Sequence, residues 1–335
     1  MTMTYEDKSV QPPSGRGRLA RLTTDLWLIV AVIVVTLAIA SQRPQLLEAA
    51  NITTVLKSFS IMVVMVLGLT WVIAAGKIDV SFMQVAALAN MLCASALAQG
   101  WGWPGAIAVS LAAGVLVGLV NGWLVASMRL PALIVTISTA GICASVAAAL
   151  GKGTVIRIAD PGPLATLLQP SFGGAVPLIV LPVLMIAALA WFVQERLSFG
   201  RYIYAMAQNE AAVRSVGVPV GRLTVILFAL SGLSAACAGV LLASSLSSGQ
   251  PMIGGPYLIN GLTVVLLGGM MVRVGKPNIL GTLTATLFIG VLFSGTTLLG
   301  LPDFQRQIIQ GGLLLAGLIV ATFAASHHGG RGAGQ

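Results

Sequence analysis

Apolar residues in this chain run in long, almost unbroken stretches, with neither the alternation of a half-buried strand nor the single apolar stripe of a soluble helix. Such runs occupy residues 26–41, 53–75, 83–98, 104–127, 132–150, 176–194, 223–246, 257–272, 279–299 and 305–324. A helix needs ~20 mostly apolar residues to cross the hydrocarbon core of a bilayer. The pattern therefore predicts an all-α, polytopic membrane protein with about ten transmembrane helices. Turn formers punctuate it, from Gly100 to Pro104, Arg129 to Pro131 and Gly300 to Asp303. Between the second and third runs, Gly76-Lys77-Ile78-Asp79-Val80-Ser81 brings a glycine, two charges and a serine into otherwise apolar chain. Two readings stand open there: a plain turn in which Asp79 or Ser81 caps the next helix, or a bent element lining a pathway.

The polar ends divide the chain further. Residues 1–21, with Pro12 and Pro13, read as a disordered arm, residues 22–325 as the membrane domain and residues 326–335 as a disordered tail carrying His327 and His328. The first run resembles a secretory signal, with Arg16, Arg18 and Arg21 ahead of it and Ala38-Ile39-Ala40 at its end. An uncleaved first helix is the simpler expectation, because the basic arm is long for a signal. Residues 151–175 are rich in Gly and Pro and read as a surface or re-entrant element. Residues 195–222 read as a helix–turn–helix, with a helix ending at Gly217 and Pro219 barring its continuation.

Composition agrees with the pattern. Hydrophobic residues make up 57% of the chain and charged residues 8%, against about 25% charged in an ordinary globular domain. The net charge of +9 is scattered between apolar runs, which argues against a nucleic-acid surface. Its distribution gives an orientation instead. With ten spans, Arg43, Lys57, Lys152, Arg157 and Arg306 fall on one side, and the rest of the 18 Lys and Arg residues fall on the other. The positive-inside rule then puts both termini in the cytoplasm. Cys93, Cys143 and Cys237 lie in apolar runs and read as packing residues, with no disulfide or metal site implied.

Catalysis in the bilayer would need convergent ionisable groups. Of the nine acidic residues, Asp79 is the one placed between spans at a depth that could be interior, and no histidine lies in a span. One carboxylate makes neither a dyad nor a proton relay, so an enzyme and a proton-driven carrier are both disfavoured. Asp79 and the uncharged polar residues Ser81, Asn90, Asn121, Thr136, Thr139, Asn260 and Thr297, within or beside spans, are candidates for a solute pathway. Hydrogen bonding between helices is the competing role for most of them. Gly114, Gly118 and Gly122, four residues apart, predict a smooth face for close helix packing.

Several motifs together resemble a known family. Residues 76–81 are similar to the Gly-Gly-Ile-Asp-Leu-Ser signature of permease subunits in ribose-type ABC importers, as is Val120-Asn121-Gly122 followed by Leu130-Pro131. The fullest match is Phe199-Gly200-Arg201-Tyr202-Ile203-Tyr204-Ala205, then Asn209-Glu210-Ala211-Ala212 and Ser215-Val216-Gly217-Val218. Ser231-Gly232-Leu233, Ser248-Gly249-Gln250-Pro251, Leu267-Gly268-Gly269, Leu280-Gly281-Thr282 and Ile289-Gly290-Val291-Leu292 follow in order. The resemblance implies a permease subunit in a bacterial inner membrane, importing a monosaccharide or related polyol. It implies a second permease chain, identical or related, a cytoplasmic ATPase dimer and a periplasmic sugar-binding protein as partners, besides membrane lipid. It implies no cofactor on this chain, since ATP would bind the partner ATPase, and the sequence holds no GxxxxGK[ST] loop. Asn209, Glu210, Ala211, Ala212, Arg214 and Gly217 would then form the helix that docks on the ATPase, with Glu210 facing a basic residue of that partner. Departures from the family pattern are Lys77, which replaces the second glycine of the signature, residues 270–278, and Phe293-Ser294-Gly295-Thr296-Thr297. The alternative function is a stand-alone secondary carrier of a small polar solute.

Overall fold

A computed structural model of the chain describes residues 15–272, 275–302, 304–309, 311–313, 315 and 319, with the backbone alone described for residues 15–26 and Phe172. The described residues are overwhelmingly helical. The helices are α1 (Gly15–Gln42), α2 (Ala49–Ala74), α3 (Phe82–Ala98), α4 (Gly102–Ser127), α5 (Ala132–Leu150), α6 (Pro163–Leu168), α7 (Val180–Arg196), α8 (Ser198–Ser215), α9 (Val220–Leu246), α10 (Gly255–Gly268) and α11 (Ile279–Leu298). Among the described residues, α2, α4, α5, α9 and α11 are long and apolar enough to cross a membrane, and the bent pair α7 and α8 raises the number to six if it counts as one span.

The apolar runs match helices, yet fewer of these helices are membrane-length than the runs suggest. The runs at 83–98 and 257–272 become α3, of 17 residues, and α10, of 14. At 1.5 Å per residue these reach only ~25 and ~21 Å. Each is preceded by a non-helical segment, which shortens the helix. The run at 305–324 lies largely outside the described residues; 304–309 and 311–313 are helical. Helix α1 begins at Gly15, inside the stretch read as a disordered arm. Leu19, Ala20 and the arginines of that stretch are good helix formers. Residues 1–14 and the tail, with His327 and His328, lie outside the described residues.

Helix α9 is the axis of the fold, packed by α2, α3 and α4. The close approach of α4 and α9 depends on the glycine ridge read in the sequence. A Cβ at Gly114 would meet Ala236 and the Gly232 carbonyl, one at Gly118 the Phe228 carbonyl, and one at Gly122 the backbone of Val225. With no side chain between them the two backbones touch directly, which helps hold helices together where lipid removes the hydrophobic drive. Cys93 and Cys143 are buried, Cys237 is half-buried, and all three are free, as packing residues should be.

The two ends of the bundle differ. Running ~40 Å over its 27 residues, α9 starts next to α8 and ends at the opposite end of the molecule. There, residues 151–177 form a compact cap made of β1 (Ile156–Arg157), α6, β2 (Pro170–Phe172) and β3 (Val176–Pro177). Strand β1 pairs antiparallel with β4 (Ser248–Gly249), joining this cap to the turn after α9.

Candidate functional site

At the α8 end, the chain leaves α7 through a bend of 67°. The bend is tight because Gly200 lies against the Gln194 carbonyl, where a Cβ would not fit. The first half of α8 is tied down by a buried polar cluster. The Gln194 amide nitrogen donates to Tyr204 Oη (2.9 Å) and to the Pro277 carbonyl (3.1 Å), the Tyr204 hydroxyl donates to the same carbonyl (3.0 Å), and the Ile279 amide donates to Gln194 Oε1 (3.0 Å). This joins α7 and α8 to the start of α11, where Asn278 Oδ1 caps the helix by accepting from the Gly281 amide at 2.8 Å. Beneath α8, Ile203, Met206 and Val213 enter an apolar cluster with Val72, Val125 and Phe228.

The expected coupling residues sit together on the second half of α8. The backbone breaks at Asn209 (φ −155, ψ 93) and a new helical turn begins. Asn209 caps it, its Oδ1 accepting from the Ala212 amide at 3.0 Å. Ala211, Ala212 and Arg214 are exposed beyond it, Val213 anchors the turn from below, and Gly217 (φ +85) ends the segment in the left-handed conformation. Glu210 has partners that the sequence did not announce. Its side chain is 41% exposed, and its carboxylate is also held within the chain, by Lys77 Nζ on Oε2 (3.0 Å) and by Arg214 Nη2 on Oε1 (3.2 Å). Partial burial pushes the Glu210 carboxyl up, but the hydrogen bonds and charges of Lys77 and then Arg214 outweigh it and hold it below its ordinary value.

Lys77 belongs to the break between α2 and α3, and the structure decides the role of residues 76–81. Gly76 (φ +74) terminates α2 with the backbone of Ala207 against it. The next residues run non-helical into the protein interior, where Asp79 is 2% exposed. Asp79 Oδ1 accepts from the Ser81 amide (2.8 Å) and hydroxyl (2.6 Å), and Oδ2 accepts from the Ser231 hydroxyl of α9 (2.7 Å). Asn121 of α4 donates to Ser81 Oγ at 3.0 Å, and the Val80 amide donates to Thr136 Oγ1 of α5 at 3.2 Å. The segment is a break between α2 and α3 in which Asp79 and Ser81 are buried while Gly76 and Ile78 are exposed, and Ser81 stands at the N-cap of α3.

The remaining pathway candidates separate. Asn90, fully buried in α3, clamps the turn after α9, accepting from the Gln250 amide at 2.6 Å and donating to the Ser248 carbonyl at 3.1 Å. Thr139 bonds back to the Val135 carbonyl of its own helix, and Thr297, exposed at the end of α11, accepts from Arg306. Asn260 lines a cavity of about 740 Å³ bounded by α2, α10, α11 and the turn after α9. Its walls combine apolar and aromatic surface, Phe59, Tyr257 and Phe293, with the polar side chains of Gln250, Asn260 and Thr286. Tyr257 and Thr286 were not singled out in the sequence, where a tyrosine at a helix start and a threonine within an apolar run are ordinary packing residues. Asp79, Ser81, Asn121 and Thr136 form a buried structural node away from this cavity.

The family described as "Branched-chain amino acid transport system / permease component" matches residues 51–318. The chain belongs to this family. Among curated relatives, the ribose import permease protein RbsC of Escherichia coli K12 is 30% identical over 322 residues, covering 93% of this chain and 98% of that one. RbsC of Haemophilus influenzae is 28% identical, covering 91% and 95%. The autoinducer 2 import system permease protein LsrC of Photorhabdus luminescens is 29% identical, covering 82% of each. The permease is thus a multi-pass membrane protein of the bacterial inner membrane and a transport component.

Proposed function

We propose that this permease imports a monosaccharide or related polyol, driven by ATP hydrolysis on a separate ATPase that docks on α8. The observation that carries the reading is the pairing of the two ends. The cavity offers amide and hydroxyl groups beside aromatic faces, the mixture that suits a neutral polyhydroxylated solute. The opposite end presents the capped turn 209–217 with its small exposed face of Ala211 and Ala212. The sugar class is supported by the names of the RbsC relatives.

The membrane arrangement follows. Helices α3 and α10 cross the bilayer as short spans, and the segments before them bury Asp79, Ser81, Ser248, Gly249, Pro251 and Gly254 in protein, the setting that permits non-helical backbone at that depth. With them, α1 and the run at 305–324, the chain crosses ten times and keeps both termini inside. The cavity is bounded by one chain on one side, and a second permease chain, identical or related, completes the pathway. A periplasmic binding protein delivers solute to the end carrying the cap and β4.

Co-expression with a candidate ATPase and binding protein, followed by reconstitution in liposomes, tests the proposal. Labelled ribose, arabinose and a polyol should accumulate with ATP and binding protein present. Uptake by the permease alone would establish a stand-alone carrier instead. Branched-chain amino acid uptake with no sugar uptake would overturn the solute class.

A further inference from the structure

The strongest unexplained feature is Lys77. Its side chain is 15% exposed and ends on Glu210, a residue on another helix and more than a hundred positions away in sequence. A lysine placed at a helix break costs side-chain entropy and desolvation, so a surface pair of this kind gives little stability. Its position connects two systems. On one side is the turn 209–217. On the other is residue 79, two positions along an extended segment, locked to α9 through Ser231 and, by way of Ser81, to α4 through Asn121. From that node α3 runs through the protein core, and Asn90, midway along it, holds the Gln250 amide at 2.6 Å; Gln250 lines the cavity.

We propose that α3 is a transmission rod between the two functional ends, with Lys77 as its grip on α8 and Asn90 as its grip on the cavity. Displacement of the turn 209–217 pulls on Lys77, the short segment 77–81 leaves little slack, and α3 passes the motion to the turn bearing Gln250. Contact at Gly76 adds a push in the other direction, since the Ala207 backbone rests on it. Lys77 is a positioning residue in this scheme. The contact of Lys77, five residues before α3, and the contact of Asn90, midway along it, supply the contiguous physical link that coupling between distant sites needs. The proposal rests on the coupling role of α8 given above.

The test uses the assembled transporter in liposomes. Lys77→Met keeps the length of the side chain and removes its charge. Lys77→Glu reverses the charge, and Lys77→Glu combined with Glu210→Lys restores an inverted pair. Each variant is read for co-purification of the ATPase, thermal stability, and the ratio of solute transported to ATP hydrolysed. Lys77→Met and Lys77→Glu should assemble and melt as the parent does, while that ratio falls roughly fivefold or more, the lower range of measured site-to-site couplings. The inverted pair should recover most of it. Asn90→Ala should lower the ratio in the same way, from the middle of α3. A transported-to-hydrolysed ratio at the parent level for both Lys77→Met and Lys77→Glu overturns the rod, as does a single variant whose loss is matched by an equal loss of thermal stability. An unmodified permease that binds no ATPase overturns the reading of α8 instead, which separates the two failures.

Discussion

The Ser231 hydroxyl of α9 donates to Asp79 Oδ2 at 2.7 Å, so that a carboxylate between two apolar helices is paired with a residue 152 positions later in the chain. Removing the carboxylate leaves the Ser81 amide and hydroxyl and the Ser231 hydroxyl unpaired in the interior. Each such orphan costs about 1–3 kcal/mol. Asp79→Ala should therefore destabilise the permease by several kcal/mol, to the point of poor expression. Asp79→Asn keeps the shape and can turn its amide to the Ser231 oxygen, so its cost should be near ~1 kcal/mol. Thermal unfolding in mild detergent compares the two. Equal melting temperatures for both variants would show that the carboxylate is not the centre of the node.

The α4–α9 contact gives a second test with an internal control. Gly118 has no room for a side chain against the Phe228 carbonyl, whereas Gly141 on α5 has nothing within 4 Å of the place where a Cβ would stand. Gly118→Val should cost about 2–3 kcal/mol through overpacking. Gly141→Ala should be neutral or slightly stabilising, since alanine is the better helix former by ~1 kcal/mol. Melting curves of the two purified variants decide it, and a stable Gly118→Val protein would remove the close packing.

That ridge is also where the sequence was most informative. Spacing of four between Gly114, Gly118 and Gly122 is local information, and so is the stop at Gly217 after an apolar-faced helix. Both appear in the structure as read. What failed to show in the sequence is long range. No local rule pairs Lys77 with Glu210, or marks Asn90 as a clamp and not a pathway residue. Hydropathy also could not foresee that α3 and α10 would be too short to span by themselves. A run of apolar residues has the same hydropathy whether it faces lipid or is buried in protein, and α3 is buried. Asn260 reached the cavity while Asn121 reached a hydrogen-bonded node, and in sequence the two are alike: one amide in an apolar run.

The cavity yields a third prediction. Asn260→Phe places an aromatic ring in the 740 Å³ space beside Tyr257 and Phe293. Uptake through the reconstituted transporter should fall about tenfold or more, a barrier increase of ~1.4 kcal/mol or more. Assembly with the ATPase should be unchanged, because α8 lies at the other end of the bundle. Parent-level uptake by this variant would place the pathway elsewhere.

The Glu210 pair gives the last prediction, on pH. A carboxyl held below its ordinary value of 4.5 in the folded protein contributes stability that is fully present above that value. The contribution is lost as pH falls through the lowered folded value. The turn 209–217 should therefore stay docked on Lys77 at neutral and mildly acid pH and loosen only below about pH 4.5. Hydrogen exchange at the amides of Ala211 to Arg214, corrected for the intrinsic pH dependence, should show protection falling in that acid window for the parent protein. In Glu210→Gln the same amides should be less protected at neutral pH and insensitive to the window. An acid response that survives in Glu210→Gln would assign the loosening to another group.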